Sequence, residues 1–191
     1  MDKPIWQTPL KRLRTLMIAA ISMFAMVLAV PVASAVDKDK APKAALAAPA
    51  TSTDGQMAQL LRAYPAATQI DTKTVKVKEG VYISLPSASP SAAAASCAYY
   101  DLCLWQNKNY GGYGISFTRC EFVDLGHIGF PTGGYWNDKL SSYINNQTSG
   151  TWSGFYNWTG SWDLWTESFA YEATPYIGDY YNDKIDGVYV C

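Results

Sequence analysis

The chain has 191 residues, with 15 basic and 16 acidic side chains for a formal charge of −1. That sum joins two unlike halves: residues 1–95 carry 11 Lys/Arg against 6 Asp/Glu, and residues 96–191 carry 4 against 10. The acidic half also holds 23 of the 27 aromatic residues and all four cysteines, which describes one aromatic domain behind a long leader and excludes nucleic acid, a partner that requires a basic surface.

The leader opens with Lys11, Arg12 and Arg14, followed by an uncharged run from Leu16 to Val32. Pro31 breaks the run and Ala33-Ser34-Ala35 follows with small residues at peptidase spacing. Residues 1–35 therefore read as a secretory signal peptide cleaved after Ala35. An uncleaved anchor is the rival, but the run is short for a membrane span. Export leaves a chain of −4, expected to be extracellular and free of the membrane. Residues 36–53, rich in Ala, Pro, Lys and Asp, read as a flexible linker.

Residues 54–85 form a small island. Asp54 is placed to cap a helix from about Gln56 to Tyr64, with Met57, Leu60, Leu61 and Tyr64 on one face and Pro65 after the stop. Val75 and Val77 then alternate with lysines, Lys78-Glu79-Gly80 turns, and Val81, Ile83 and Leu85 alternate again, the pattern of a β-hairpin. About 30 residues bury too little to stand alone. The island docks on the domain, is removed as a pro-segment, or is a weakly ordered spacer. Residues 86–96, Ser/Ala/Pro-rich, form a second linker.

Residues 97–191 are all-β by pattern: short aromatic and β-branched runs separated by Gly, Asn and Asp. Outside the cytosol, Cys97, Cys103, Cys120 and Cys191 are expected to form two disulfides. Four cysteines allow three pairings, and Cys191 bonds back into the domain in each. Tyr135-Trp136-Asn137-Asp138-Lys139-Leu140-Ser141-Ser142 returns 45 residues later as Tyr180-Tyr181-Asn182-Asp183-Lys184-Ile185-Asp186-Gly187. Two units of that length suggest a duplicated Greek-key sandwich.

Trp105-Gln106-Asn107-Lys108-Asn109-Tyr110-Gly111-Gly112 resembles the first-hairpin motif of βγ-crystallins, and Asn137-Asp138-Lys139-Leu140-Ser141-Ser142 resembles their calcium motif. With the framed start Cys97-x5-Cys103-Leu104-Trp105, the signal peptide and the leader island, the chain resembles peptidase inhibitor family I36 of secreted actinobacterial proteins. The resemblance covers roughly residues 97–191. It implies a double Greek-key βγ-crystallin-like sandwich and inhibition of extracellular metallopeptidases, not catalysis.

The resemblance also implies a calcium ligand set: the Lys139 carbonyl, the Ser141 hydroxyl and the Asn137-Asp138 pair, with Lys184, Asp186 and Asn182-Asp183 as counterparts and one ligand exchanged between loops. The bland alternative is that these are turn residues bonding neighbouring backbone. The second unit departs from the pattern. Leu164 stands where Gly112 stands, so the second hairpin is expected to be built differently, and Asp186-Gly187 replaces Ser141-Ser142.

An inhibitor needs a protruding, preorganised segment. Gly126 to Gly134 is a strand-free stretch offering His127, Ile128 and Phe130, with Pro131 limiting flexibility; its alternative is an ordinary connection whose apolar residues tuck into the core. Trp152, Trp158, Trp162 and Trp165 read first as core or inter-motif packing. A second reading is a flat platform for a cell-wall glycan, which belongs to an alternative function: a calcium-stabilised structural or wall-binding module. Enzyme signatures are poor. His127 is the only histidine, no Gly-x-Ser-x-Gly elbow occurs, and Asp163 with Glu167 reads as surface charge. A monomer is expected.

Overall fold

The computed structural model describes residues 52–87 and 95–191. The expected signal peptide, nearly all of the first linker and residues 88–94 of the second lie outside the described residues.

The island is ordered. Helix α1 spans Thr53–Ala63, a turn earlier than the sequence pattern suggests. Ser52, not Asp54, is the cap: its hydroxyl accepts from the Gly55 N–H at 3.2 Å. Asp54 lies in the first turn and Arg62 in the last, each at the dipole end that favours its charge. Met57 and Leu60 are buried. The short strand β1 (Thr68–Gln69), which the sequence pattern did not indicate, pairs with β2 (Thr74–Lys78), and β2 pairs with β3 (Val81–Ser84). The expected turn at Lys78-Glu79-Gly80 joins β2 to β3, with Lys76 paired to Glu79 across it at 2.5 Å.

The domain contributes β4 (Leu102–Asn107), β5 (Gly111–Phe117), β6 (Phe122–Asp124) and β7 (Ser142–Asn145) from its first unit. The second unit supplies β8 (Trp152–Trp158), β9 (Trp162–Phe169), β10 (Glu172–Thr174) and β11 (Gly187–Tyr189). Among the described residues these strands form a sheet ordered β1-β2-β3-β5-β4-β7-β10 and a second ordered β6-β11-β8-β9, every pairing antiparallel. Each unit therefore keeps three strands in one sheet and sends its third, β6 or β10, to the other. That exchange is the duplicated Greek key the repeat implied, and it ties the units together through backbone hydrogen bonds.

The island docks. β3 adds to the outer edge of β5, from Val81 opposite Phe117 to Ser84 opposite Gly114. Its inward residues enter the domain core: Leu60, Val75, Val81 and Ile83 are fully buried and cluster with Leu102, Ile115, Phe117, Phe155, Ile185 and Val188. A spacer is thus excluded for the described part. The alternation of Val75, Val81 and Ile83 gave one apolar face, and only the sandwich supplied something to cover it.

Cys97 bonds Cys103, and Cys120 bonds Cys191, with sequence separations of 6 and 71. The first bridge closes the turn before β4. The second ties the end of the chain to the segment after β5, as expected for Cys191. Among the described residues no helix is long and apolar enough to cross a membrane.

Candidate functional site

The Asn-Asp loops precede β7 and β11 and pack against each other. Asp138 and Asp183 share one backbone conformation, φ 57° and 55°, the left-handed region that Asp tolerates because its short carboxylate bonds locally. Leu140 and Ile185, two residues on, are buried. The Asp138 N–H donates to the Ile185 carbonyl and the Asp183 N–H to the Leu140 carbonyl, each at 3.0 Å. The bonds exchange between copies 45 residues apart, so the sequence repeat is a near-twofold relation in space.

The serines of the first motif clamp the first hairpin. Tyr110, 3% exposed, folds back onto Trp105 with rings 5.3 Å apart. This fold-over sets positive φ at Asn109, Tyr110 and Gly112, and the glycine takes it without a Cβ penalty. Ser141 Oγ donates to the Gln106 carbonyl at 2.7 Å, and Ser142 Oγ donates to the Asn107 carbonyl at 2.6 Å. Ser142 Oγ also accepts from the Tyr110 N–H at 3.0 Å.

The second hairpin differs, as Leu164 in place of glycine implied. A tight turn at Thr159-Gly160-Ser161 sets Trp158 opposite Trp162, with Gly160 taking the positive φ. Asp186 is its clamp. Asp186 Oδ2 accepts from the Trp158 N–H at 2.8 Å. The Asn157 amide, in the orientation its neighbours require, donates to the Lys184 carbonyl at 2.9 Å and to Asp186 Oδ2 at 3.1 Å.

Between the loops lies a hollow of about 440 Å³ lined by Asp124, Gly126, Asn137, Asp138, Trp158, Trp162 and Asp186. Three carboxylates line it, with His127 beside Asp124 and Lys139 acting on Asp138 from outside the lining. Asn137 Nδ2 donates to Asp138 Oδ2 at 3.1 Å and reaches Asp186 Oδ1 at 3.5 Å. Burial, then the nearby Asp186, push the Asp138 carboxyl above its ordinary range, against the opposing pull of Lys139. Asp124 Oδ1 accepts from the Gly126 N–H at 2.8 Å, and its Oδ2 lies 3.0 Å from His127 Nδ1. Across the pseudo-twofold, Asn182 Nδ2 donates to Asp183 Oδ2 at 2.7 Å, while Asn182 Oδ1 is buried with no hydrogen-bond donor. Among the described residues no group of three or more His, Cys, Asp and Glu side chains stands at metal-binding distance.

One sequence expectation is corrected. Ile128 and Phe130 are 6% and 5% exposed, so they are not the protruding side chains of an inhibitory loop. The stretch folds on itself: the Phe130 N–H donates to the Gly134 carbonyl, the Trp136 N–H to the Ile128 carbonyl, and Gly129 bridges Tyr135. Phe130 packs edge-on against Tyr113 and Trp136, and Tyr64 of the leader donates its hydroxyl to the Gly129 carbonyl. The leader thus helps bury this stretch. His127 alone of the three is exposed. The tryptophans divide between core and inter-motif packing, Trp162 lying on Phe122 of the first unit with rings 4.8 Å apart. Trp158 is 52% exposed, Trp152 and Trp162 are half-buried, and of the four only Trp165 packs against the core.

Asp124, Asn157 and the placement of Trp158 beside the loops were not legible in the motif, because they arrive from other strands. The one local signal was Asp124-Leu125-Gly126, an Asx-type turn.

Residues 90–165 match peptidase inhibitor family I36. That family is one of inhibitors, not of enzymes. The I36 match runs from the second linker through both hairpins and ends inside β9. Among solved structures, a βγ-crystallin domain from Clostridium beijerinckii is 23% identical, covers 47% of this chain and 94% of that one, and has a TM-score of 0.36. A structure described under the evolution of the eye-lens βγ-crystallin domain fold is 16% identical over 51% of this chain and 90% of that one, TM-score 0.38. A βγ-crystallin domain from Flavobacterium johnsoniae is 18% identical over 47% and 92%, TM-score 0.35. No curated protein matches the chain.

Proposed function

We infer that the chain is a secreted inhibitor of extracellular metallopeptidases, carried on the disulfide-linked double Greek-key domain. The observation that supports this most is the I36 match over residues 90–165. Two disulfides agree with an oxidising compartment. A thermolysin-type peptidase assayed with a peptide substrate tests it: inhibition at nanomolar chain is expected, and full activity at micromolar excess sinks the reading.

Calcium is the cofactor this reading adds. A hard cation takes oxygen ligands, and the loops offer them: Asn137, Asp138 and Asp186 in the hollow, and Asn182, Asp183 and Ser141 at the opposite loop. The orphaned Asn182 Oδ1 is an acceptor a cation would satisfy. Ser141 and Asp186 already clamp hairpins, so each brings only its remaining lone pairs. Lys139 and Lys184 contribute carbonyls, and the latter already accepts from Asn157. Such ligand-poor sites bind weakly, at about 10⁻⁴–10⁻³ M, as extracellular modules do. The melting temperature is expected to rise in excess calcium over EGTA, and Asp138→Ala with Asp183→Ala to abolish the rise. An unchanged melting temperature in the parent chain refutes the calcium sites.

A further inference from the structure

The outward face of the second sheet is aromatic. Ser153, Phe155, Val123 and Val188 point into the sandwich and are buried, so their strand neighbours point out. Those neighbours include Phe122, Trp152, Tyr156 and Trp158, joined across β9 by Trp162 and Leu164. Phe122, Trp158 and Leu164 are 39%, 52% and 46% exposed. The rings form a connected sheet of their own: Phe122 lies 4.8 Å from Trp162 and 5.3 Å from Tyr156, and Trp162 lies 5.0 Å from Trp158.

Two glycines make the carpet lie flat. A Cβ on Gly187 would meet Phe122 Cζ at 2.8 Å and Trp162 Cζ3 at 2.9 Å. One on Gly154 would meet Tyr156 and Leu164 at 2.8 and 3.0 Å. The rings therefore occupy space over the backbone that any other residue would fill. A contiguous exposed apolar face of this kind is uncommon on a monomer and marks an interaction surface.

Charge narrows the occupant. The four strands of this sheet contain Asp124, Asp163 and Glu167 and no Lys, Arg or His. At one corner the carpet meets the acidic hollow, walled by Trp158 and Trp162 over Asp124, Asp138 and Asp186. Aromatic walls with carboxylates receive a guanidinium or ammonium group through cation–π and charge contacts together. A second copy is disfavoured, because it would set the same acidic groups against each other.

We propose that this face is the peptidase-docking surface, with the aromatic carpet covering an apolar patch on the enzyme and the corner hollow, in the calcium-free chain, taking a Lys or Arg side chain of that enzyme in competition with the cation. The assignment rests on the inhibitor reading and supplies the contact surface that the buried Ile128 and Phe130 leave open. Aromatic residues in such a patch carry most of the binding energy, and the rim charges set the salt dependence.

The test uses the full chain, freed of calcium by EGTA on its own before mixing, against three immobilised enzymes: a thermolysin-type metallopeptidase, a subtilisin-type serine peptidase and a papain-type cysteine peptidase. Chitin and peptidoglycan serve as glycan probes. The parent is expected to bind the thermolysin-type enzyme, more weakly as NaCl rises from about 0.05 to 0.5 M; binding to the serine or cysteine peptidase alone overturns the metallopeptidase as target. Trp162→Ala and Leu164→Glu are expected to weaken that binding about tenfold or more at unchanged melting temperature. Tyr99→Ala, outside the sheet, is expected to leave it intact. If Trp162→Ala misfolds, Gly187→Ala displaces the same rings while keeping them. Parent-like binding by the sheet variants overturns the docking face and leaves the inhibitor reading standing. Failure of the parent to bind any of the three enzymes overturns both. Trp162-dependent retention on a glycan without enzyme binding overturns the peptidase as occupant.

Discussion

Asp101 lies in the turn before β4, 8% exposed, with its backbone carbonyl accepting from the Asn146 N–H at 2.9 Å. Among the described residues no hydrogen bond reaches its carboxylate. Burial pushes its pKa up to about 6. An acid whose folded pKa exceeds its unfolded value of about 3.9 holds its proton longer in the folded state, so stability falls as pH rises from about 4 to 6 and then stays level. A tenfold change in proton affinity is about 1.4 kcal/mol. Allowing for partial solvation, Asp101→Asn is expected to raise stability at pH 7 by about 1–2 kcal/mol and to flatten the decline between about pH 4 and 6. Urea denaturation at pH 4.5 and 7 checks it, and a parent chain equally stable at both contradicts it. Phe130 and His127 make a second residue-scale contrast. Phe130→Ala opens a cavity against Tyr113 and Trp136 and is expected to cost about 3–5 kcal/mol. His127→Ala should fall within about 0.5 kcal/mol, and similar losses would contradict the burial of this stretch.

Among elements, the leader hairpin decides most. β3 covers the edge of β5, and α1, β2 and β3 place Met57, Leu60, Val75, Val81 and Ile83 in the common core. Full burial of such side chains is worth about 1.5–3 kcal/mol each, as an upper bound, against a typical total stability of about 5–15 kcal/mol. Deleting residues 52–87 is therefore expected to lower the melting temperature by about 10 °C or more and to expose a dye-binding apolar surface. A fragment of residues 95–191 as stable as the full chain would favour the detachable pro-segment. The helix and hairpin themselves were legible, because amphipathic spacing and the Lys-Glu-Gly turn are local. Their partner strand was not, since nothing near residue 81 encodes pairing with residue 117.

Across the whole molecule the two bridges act at different scales. In the chain-entropy account, a loop closed over 71 residues stabilises by about 4 kcal/mol and one over 6 residues by about 2 kcal/mol. Replacing Cys120 and Cys191 together by serine should lower the denaturation midpoint more than replacing Cys97 and Cys103. Equal losses would place the stabilisation in local strain or packing. The charge split also resolves at this scale. The acidic excess of residues 96–191 is not spread evenly: Asp124, Asp138 and Asp186 converge on one hollow beside exposed tryptophans.

The sequence by itself determined the local and the repeated. Turn residues, alternation, the capped helix and the Asn-Asp-Lys repeat depend on neighbours a few positions away, and each reappears as an element or a matched loop. The tertiary structure alone decided which aromatics face water. Alternation along a strand puts aromatic residues on both faces, and the sandwich covers only one. Phe130 went inward because Tyr113 and Trp136 receive its ring, and Tyr64 of the leader holds the adjacent Gly129 carbonyl. Trp158 and Trp162 stayed outside because nothing in the described chain packs on the second sheet's outer face.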